Sequence, residues 1–457
     1  MPFRMHVRHI KSSTILVESG DVSVLCDPWI LDGAFYGAWA HYPPVEFEPD
    51  DFDEIDYIYV SHIHPDHCHR ETLERLDSDI PVLIHDYNWD FLRHNVEAAG
   101  FEVRELPHGE RIHLGGDLHM NVLASDDCDP AVCGNHFACP WMAEDASSQG
   151  VDGSTQIDSM AVFDDGERTV LNLNDCRWPM SQRAAGRVKR QYGEIDLAML
   201  QYTFAGGYPQ GRIDYSHETL LEEREARRLQ SLDNAVGFLE LLEPDYYMPF
   251  AGSYTLAGDL AELNEYVARS TRAQARDYFE SEERIDDGSE CVLLNSGEWF
   301  DVAAGEQSSP YTPIDPEERR AYIETELADR EFTYESDPMP TLEEFGEYVP
   351  AAYENFDAKR RGIGFESETE VVLSLVDDHY LRFTADGSGH EIVDGVPART
   401  DRRRVRMEMD PRLTLRILKG PRYAHFNNAY IGSHLGFSIE PDVYERSLFY
   451  SMSFLHA

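Results

Sequence analysis

Hydrophobic and polar positions along this chain follow two periods. Short apolar or alternating runs at 5–31, 55–60, 81–84, 103–106 and 118–124 read as strands, whereas 90–99 and 217–242 carry the amphipathic spacing of helices. The first run folds back at Ser19-Gly20-Asp21, which predicts two strands, the second ending in Val24-Leu25-Cys26-Asp27-Pro28-Trp29. A helix is expected over 66–76, directly after the 55–60 strand. Runs at 159–163 and 169–173 flank Asp164-Asp165-Gly166, a hairpin signal that brings Asp175 to a strand end. Strands over 195–202 and from Tyr246 toward Gly252 bracket the long helix. Strands alternating with helices predict an α/β layered sheet over residues 1–312. Beyond about Pro310 the texture changes to an acidic, proline-broken, helix-prone connection, read as solvated. Strands at 370–376, 380–385, 405–409 and 413–419 then predict a second, α+β domain over 313–457.

Composition adds a statement about solvent. The 457 residues carry 86 Asp and Glu against 39 Lys and Arg, a net charge of -47, yet 42% are hydrophobic, enough for a large core. The acid is spread along the whole length, and the lysines are Lys11, Lys189, Lys359 and Lys419. A carboxylate-rich, lysine-poor surface suits a high-salt cytoplasm, where salt screens its self-repulsion, and makes nucleic acid or an anionic membrane an unsuitable ligand. The N-terminal residues show no apolar signal core and no later run is long enough to span a bilayer, so a cytoplasmic protein without a membrane partner is expected. Seven cysteines, an odd number, argue against a disulfide framework.

The densest chemistry lies in Ser61-His62-Ile63-His64-Pro65-Asp66-His67. His62 and His64, one residue apart at a strand end, have the spacing to face one metal ion, while Asp66 and His67 reach toward a second beside it. A C-x4-C-x2-H-x2-C pattern, Cys128, Cys133, His136 and Cys139, offers four soft ligands for a structural zinc or simply unpaired thiols of a reducing cytosol. Arg177, Arg183, Arg187, Lys189 and Arg190 form a basic cluster in an otherwise acidic chain. Guanidinium forks suit phosphate or carboxylate, so Arg177, Arg183 and Arg187 are candidates for an anionic substrate, with pairing to the acidic surface as the alternative.

The H-x-H-x-D-H motif after a strand, with Asp27-Pro28 before it and the strand-end Asp175 after it, resembles the metallo-β-lactamase fold. That resemblance implies an αββα sandwich. Further phrases are similar to CMP-N-acetylneuraminate hydroxylase: Cys26-Asp27-Pro28-Trp29, the loop from Gly37 to Pro44, Phe204-Ala205-Gly206-Gly207, Pro249-Phe250-Ala251-Gly252, Tyr430-Ile431-Gly432-Ser433 and Pro441-Asp442-Val443-Tyr444. The resemblance implies two divalent ions, iron or zinc, with His62 and His64 on one, Asp66 and His67 on the other, Asp175 bridging, and Asp66 and Asp175 as catalytic carboxylates. The fold usually adds a further ligand between the motif and Asp175, for which Asp126, Asp127 or His136 are candidates. Its last histidine is replaced here by Phe250-Ala251. By the same analogy His41 faces the site as a substrate contact, and Asp27 braces the histidine turn.

Animal members of the hydroxylase family carry a Rieske module, held by a C-x-H and C-x-x-H pairing that this sequence does not write. An oxidoreductase acting on a small anionic, sugar-nucleotide-like substrate would therefore draw electrons from a separate ferredoxin or Rieske protein. The competing class is a metal-dependent hydrolase of an ester, lactone or phosphodiester, which needs no donor. A non-catalytic binding protein on the same fold is the third.

Overall fold

The computed structural model describes residues 5–87, 89–125, 158–286 and 288–457. The chain opens as a meander of three antiparallel strands, Met5–Lys11, Thr14–Ser19 and Val22–Cys26, one more than the sequence pattern suggests. The additional strand arises because Ser12 takes a left-handed turn, φ 47°, in a stretch with no glycine or proline to mark it. Side chains alternate across the pleat, so Ile15, Val17 and Val24 point into one core while Leu16 and Leu25 point into another. A strand buried on both faces must be apolar on both, which is why the period-two signal fades here.

Val22–Cys26 continues into parallel pairing with Tyr57–Tyr59, then Val82–His85, then Val103–Leu106, completing an eight-stranded sheet with Trp299–Asp301 and Glu306–Gln307 at the far edge. A second sheet of seven strands runs from Glu290–Cys291 through Tyr246–Phe250, Leu197–Gln201, Thr169–Asn172, Ser159–Asp164 and Leu118–Ala124 to Ile112–Gly115. Met5, Val7, Val17 and Tyr59 from one sheet meet Met120, Phe163, Met199 and Met248 from the other in a common buried layer. Outside the second sheet, the helices Trp178–Tyr192, His217–Leu242 and Arg272–Glu280 bury Ala184, Val188, Leu232, Val236, Leu239 and Phe279. Outside the first, the helix Phe91–Ala98 buries Leu92 and Val96. The order helix, sheet, sheet, helix is the expected αββα sandwich.

Three expectations change. The helix after the histidine motif is a single turn, Arg70–Leu73, preceded by a tight turn in which the His67 and Cys68 amides donate to the His64 carbonyl at 3.0 and 2.8 Å. The motif residues thus lie on a turn and not on a helix. The apolar alternation at 413–419 belongs to a helix, Pro411–Lys419, because Asp410 accepts from the Arg412 amide and Pro411 fills the first helical position. The acidic connection is partly a core element: helix Leu342–Gly362 buries Phe345, Val349 and Phe356 against the C-terminal five-stranded sheet. That same core takes in Trp29, Phe35 and Trp39 from the N-terminal part, so the two regions share apolar packing. Among the described residues no helix is long and apolar enough to cross a membrane.

Lys11, at the end of the first strand, is 6% exposed, and among the described residues it has no carboxylate at ion-pair distance. Burial first, and then the charge of Arg272, hold its pKa down at about 7, with Asp32 opposing. Between that value and the ordinary lysine value of 10.5 the unfolded chain binds a proton that the folded chain releases. Folding stability is therefore expected to rise with pH across this window, by up to about 1.4 kcal/mol per pH unit from this group alone. Lys11→Met should raise stability near neutral pH and remove that slope, as urea unfolding at about pH 7 and about pH 9 would show. An unchanged slope would reject the buried, reluctantly charged lysine.

Candidate metal centre

The Tyr57–Tyr59 strand lies between two parallel neighbours, and the chain leaves its carboxyl end as Val60-Ser61-His62. Asp27 leaves the end of the adjacent strand with φ 47°, a left-handed conformation that Asp tolerates better than most residues. Its amide donates to the Tyr59 carbonyl at 2.8 Å, and this turn swings its carboxylate beneath the motif. Oδ1 accepts from the Ser61 amide at 2.7 Å; Oδ2 accepts from Ser61 Oγ at 2.7 Å and lies 2.8 Å from His67 Nδ1. With Nδ1 committed to Asp27, the remaining nitrogen of His67, Nε2, is left to face the cluster. The Ser61 carbonyl is held in turn by Tyr87 Oη at 2.7 Å and Ser159 Oγ at 2.9 Å.

Around this frame the histidines converge. The His62 and His67 rings lie 4.0 Å apart and the His62 and His64 rings 4.8 Å apart, centroid to centroid. His62 Nδ1 is 3.0 Å from Ser61 Oγ, while its Nε2 is buried without a hydrogen-bond partner. His67 Nε2 also lacks one, with Asp66 Oδ2 and Asp175 Oδ1 standing off at 3.5 and 3.6 Å. Gln201 Nε2 donates to Asp175 Oδ1 at 3.0 Å. One ligand atom each of His62, His67 and Asp175 lie within 4.8 Å of one another, and so do those of His62, His64 and Asp158. Asp158 was not singled out from the sequence. It sits immediately before the Ser159–Asp164 strand, whose first residue pairs with Ala124, so it emerges at the end of the sheet where a further ligand was sought. The candidates Asp126, Asp127 and His136, and the Cys128, Cys133, His136, Cys139 set, lie outside the described residues.

The electrostatics of this cluster suit a cation. Burial pushes the Asp66 carboxyl up to about 7, and Asp175 adds to the shift. Burial would lower His67, but Asp66, Asp27 and Asp175 outweigh it and hold the ring well above its ordinary value. His62 is held well below by burial and then by His67 and His64; burial takes His64 to about 4. Burial opposes ionisation of Asp175, yet His67 keeps its carboxyl below the usual range. Buried imidazole nitrogens with lone pairs to share, interleaved with carboxylates, are the donor set that divalent metals take, and the unpartnered Nε2 atoms of His62 and His67 fit such an ion.

Phe250 and Ala251, at the place of the fold's last histidine, are fully buried, and the Ala251 amide donates to the Ser12 carbonyl at 3.1 Å. His41 is spent on packing: its ring lies 4.0 Å from Trp29 and its Nε2 is 3.1 Å from the Trp29 carbonyl. The expected basic cluster divides. Arg177 stands at the start of the Trp178–Tyr192 helix beside Asp175, Arg183 is exposed on that helix, and Arg187 lays its guanidinium against Gly109. From the C-terminal region, Asn427 Nδ2 reaches to 3.2 Å of His64 Nε2, a contact that nothing in the sequence signals.

Residues 23–231 match the family model described as the beta-lactamase superfamily domain. A protein of Mycobacterium tuberculosis whose name assigns it as a Rieske 2Fe-2S iron-sulfur protein is 27% identical over 270 residues, covering 57% of this chain and 46% of its own. The chain thus spans about half the length of the curated relative it matches. Among solved structures, the isothiocyanate hydrolase from Delia radicum gut bacteria aligns with TM-score 0.44 and 13% identity over 65% of this chain and 98% of its own. CmlA, a diiron β-hydroxylase from Streptomyces venezuelae, aligns with TM-score 0.39 and 16% identity over 64% and 54%.

Asp27 orients His67 without joining the cluster. Asp27→Asn should therefore leave the circular dichroism unchanged while weakening metal affinity by roughly 10- to 100-fold, measured by competition with a chromophoric chelator. Equal affinities in the two proteins would remove Asp27 from the centre.

Proposed function

We propose that the chain is a metal-dependent oxidoreductase that hydroxylates a small anionic, sugar-nucleotide-like substrate, receiving electrons from a separate ferredoxin or Rieske protein. The observation that carries the metal dependence is the pair of buried, unpartnered Nε2 atoms on His62 and His67 beside Asp66 and Asp175. The oxidoreductase class draws on the resemblance in the motifs around the site and on the name of the mycobacterial relative. His62, His64, Asp66, His67 and Asp175 would hold two divalent ions, with Asp158 as a further ligand. Bound iron would supply Lewis acidity and redox equivalents; zinc would supply Lewis acidity alone.

The protein's own residues have separable tasks. Asp27 fixes the orientation of the His67 ring, Gln201 fixes one oxygen of Asp175, and Asn427 holds His64 from the C-terminal side. Asp66 and Asp175 are the catalytic carboxylates of this reading. Arg177, two residues beyond Asp175, presents positive charge to an incoming anion.

A hydrolase acting on an ester, lactone or phosphodiester is the second reading, and the beta-lactamase superfamily domain favours it. Elemental analysis of the native protein, combined with oxygen uptake and a panel of simple esters and phosphodiesters, separates the two. Iron in the protein and oxygen uptake that needs both a reduced iron-sulfur donor and an anionic substrate are expected. Tightly bound zinc, with chelator-sensitive hydrolysis and no oxygen uptake, would replace the first reading with the second. His64→Ala should abolish either activity while leaving the fold intact.

A further inference from the structure

Several arginines of this acidic chain are held by carboxylates. Arg228 pairs with Glu225 at 2.6 Å, and Arg212 pairs with Asp214 and Asp442, each at 2.8 Å. Among the described residues, Arg177 and Arg227 have no carboxylate at ion-pair distance. Both are instead laid on aromatic rings. Arg177 Cζ is 5.8 Å and Arg227 Cζ 5.7 Å from the centre of the same Phe204 ring, and Arg227 also lies 4.8 Å from the centre of Tyr208. A guanidinium within cation–π range of a ring still has N–H donors for a ligand, and its planar fork matches a phosphate or carboxylate. Of the edge donors, Arg227 Nη1 is engaged with the neutral Gln230 Oε1 at 2.9 Å.

The far wall of this basin comes from the C-terminal region. Arg177 and Arg227 act electrostatically, together with Arg446, on the hydroxyls of both Tyr430 and Tyr444. The two parts meet closely: a Cβ on Gly207 would fall 2.1 Å from the Tyr430 carbonyl oxygen, so only glycine allows this approach. Gln210 Nε2 also donates to Ser433 Oγ at 3.0 Å. The basin adjoins the metal centre, since Arg177 is the N-cap residue of the Trp178–Tyr192 helix, two residues beyond Asp175.

We propose that Arg177 and Arg227, with Phe204, Tyr208 and Tyr430, form an oxyanion subsite shared by the N-terminal sandwich and the C-terminal region, which grips a phosphate or carboxylate of the substrate beside the metal centre. As a substrate subsite it rests on reading the His62, His67 and Asp175 cluster as the reacting centre; as an anion site it stands on the arginines alone. The C-terminal region is then a specificity element.

The test titrates the full-length, metal-loaded protein with inorganic phosphate and, separately, acetate by calorimetry at constant ionic strength. Metal content is measured in every sample. Saturable binding of one anion is expected, weakened roughly tenfold or more by Arg177→Gln and by Arg227→Gln, with bound metal and the unfolding midpoint unchanged. Arg227→Lys, which keeps the charge and loses the fork, should recover part of the loss, and Arg228→Gln, outside the basin, should change nothing. Tighter phosphate binding identifies a phosphoryl substrate, and tighter acetate binding a carboxylate. Equal affinity in wild type, Arg177→Gln and Arg227→Gln, or no saturable binding, overturns the subsite. Absence of bound metal with anion binding retained would count against the proposed enzyme and leave the anion site standing.

Discussion

One buried carboxylate organises the candidate centre. Asp27 accepts from the amide and hydroxyl of Ser61 and holds His67, so a single side chain joins the end of one strand to the turn that leaves the next. In a low-dielectric interior such charge-assisted contacts are strong and leaving one unmade is costly, which makes the arrangement nearly all-or-none. The His67 ring depends on it for its direction. The six-residue spacing from Ser61 to His67 supplies the donors, and the left-handed backbone at Asp27 supplies the acceptor.

Positive charge is gathered beside the carboxylate-bearing cluster, at Arg177 and Arg227. Across the chain, acid outnumbers base more than two to one. At the cluster, burial works against ionisation of Asp66, while Arg177 stands beside Asp175. A negatively charged exterior would repel an anion from most of the surface, whereas the few arginines near the cluster would offer it one favourable approach. Those arginines come from segments distant in sequence, so their grouping is a property of the fold.

How much of this was legible in the sequence depended on range. The long helix His217–Leu242 and the strand Leu118–Ala124 show their periods plainly, and the H-x-H-x-D-H turn identifies itself because few other constraints write three histidines and a carboxylate into six positions. The short helix Pro411–Lys419 misled because Leu-Thr-Leu-Arg-Ile alternates like a strand, while the Asp-Pro start that decides its form lies just ahead of the run. Asp158 was hidden by strand register: only the pairing of Ser159 with Ala124 shows at which end of the sheet it emerges. Asn427 was hidden more deeply, since no local pattern places a residue so late in the sequence beside the histidine motif.

The loop that follows Asp27 carries a further consequence. Trp39 stacks on Tyr254 with ring centres 3.5 Å apart, and the carbonyl of Phe35 meets His434 Nε2 at 2.8 Å, across 399 residues. His434 also lies 3.1 Å from the Tyr334 hydroxyl, so the loop is locked by segments far along the chain. During translation the strands over 5–26 can pair as soon as they are made, but the loop beside the histidine turn must wait for His434 before its apolar side chains are covered. The region that prepares the chemistry is thus closed only after a further 399 residues have been made, and until then Trp29, Phe35 and Trp39 are a hazard for association.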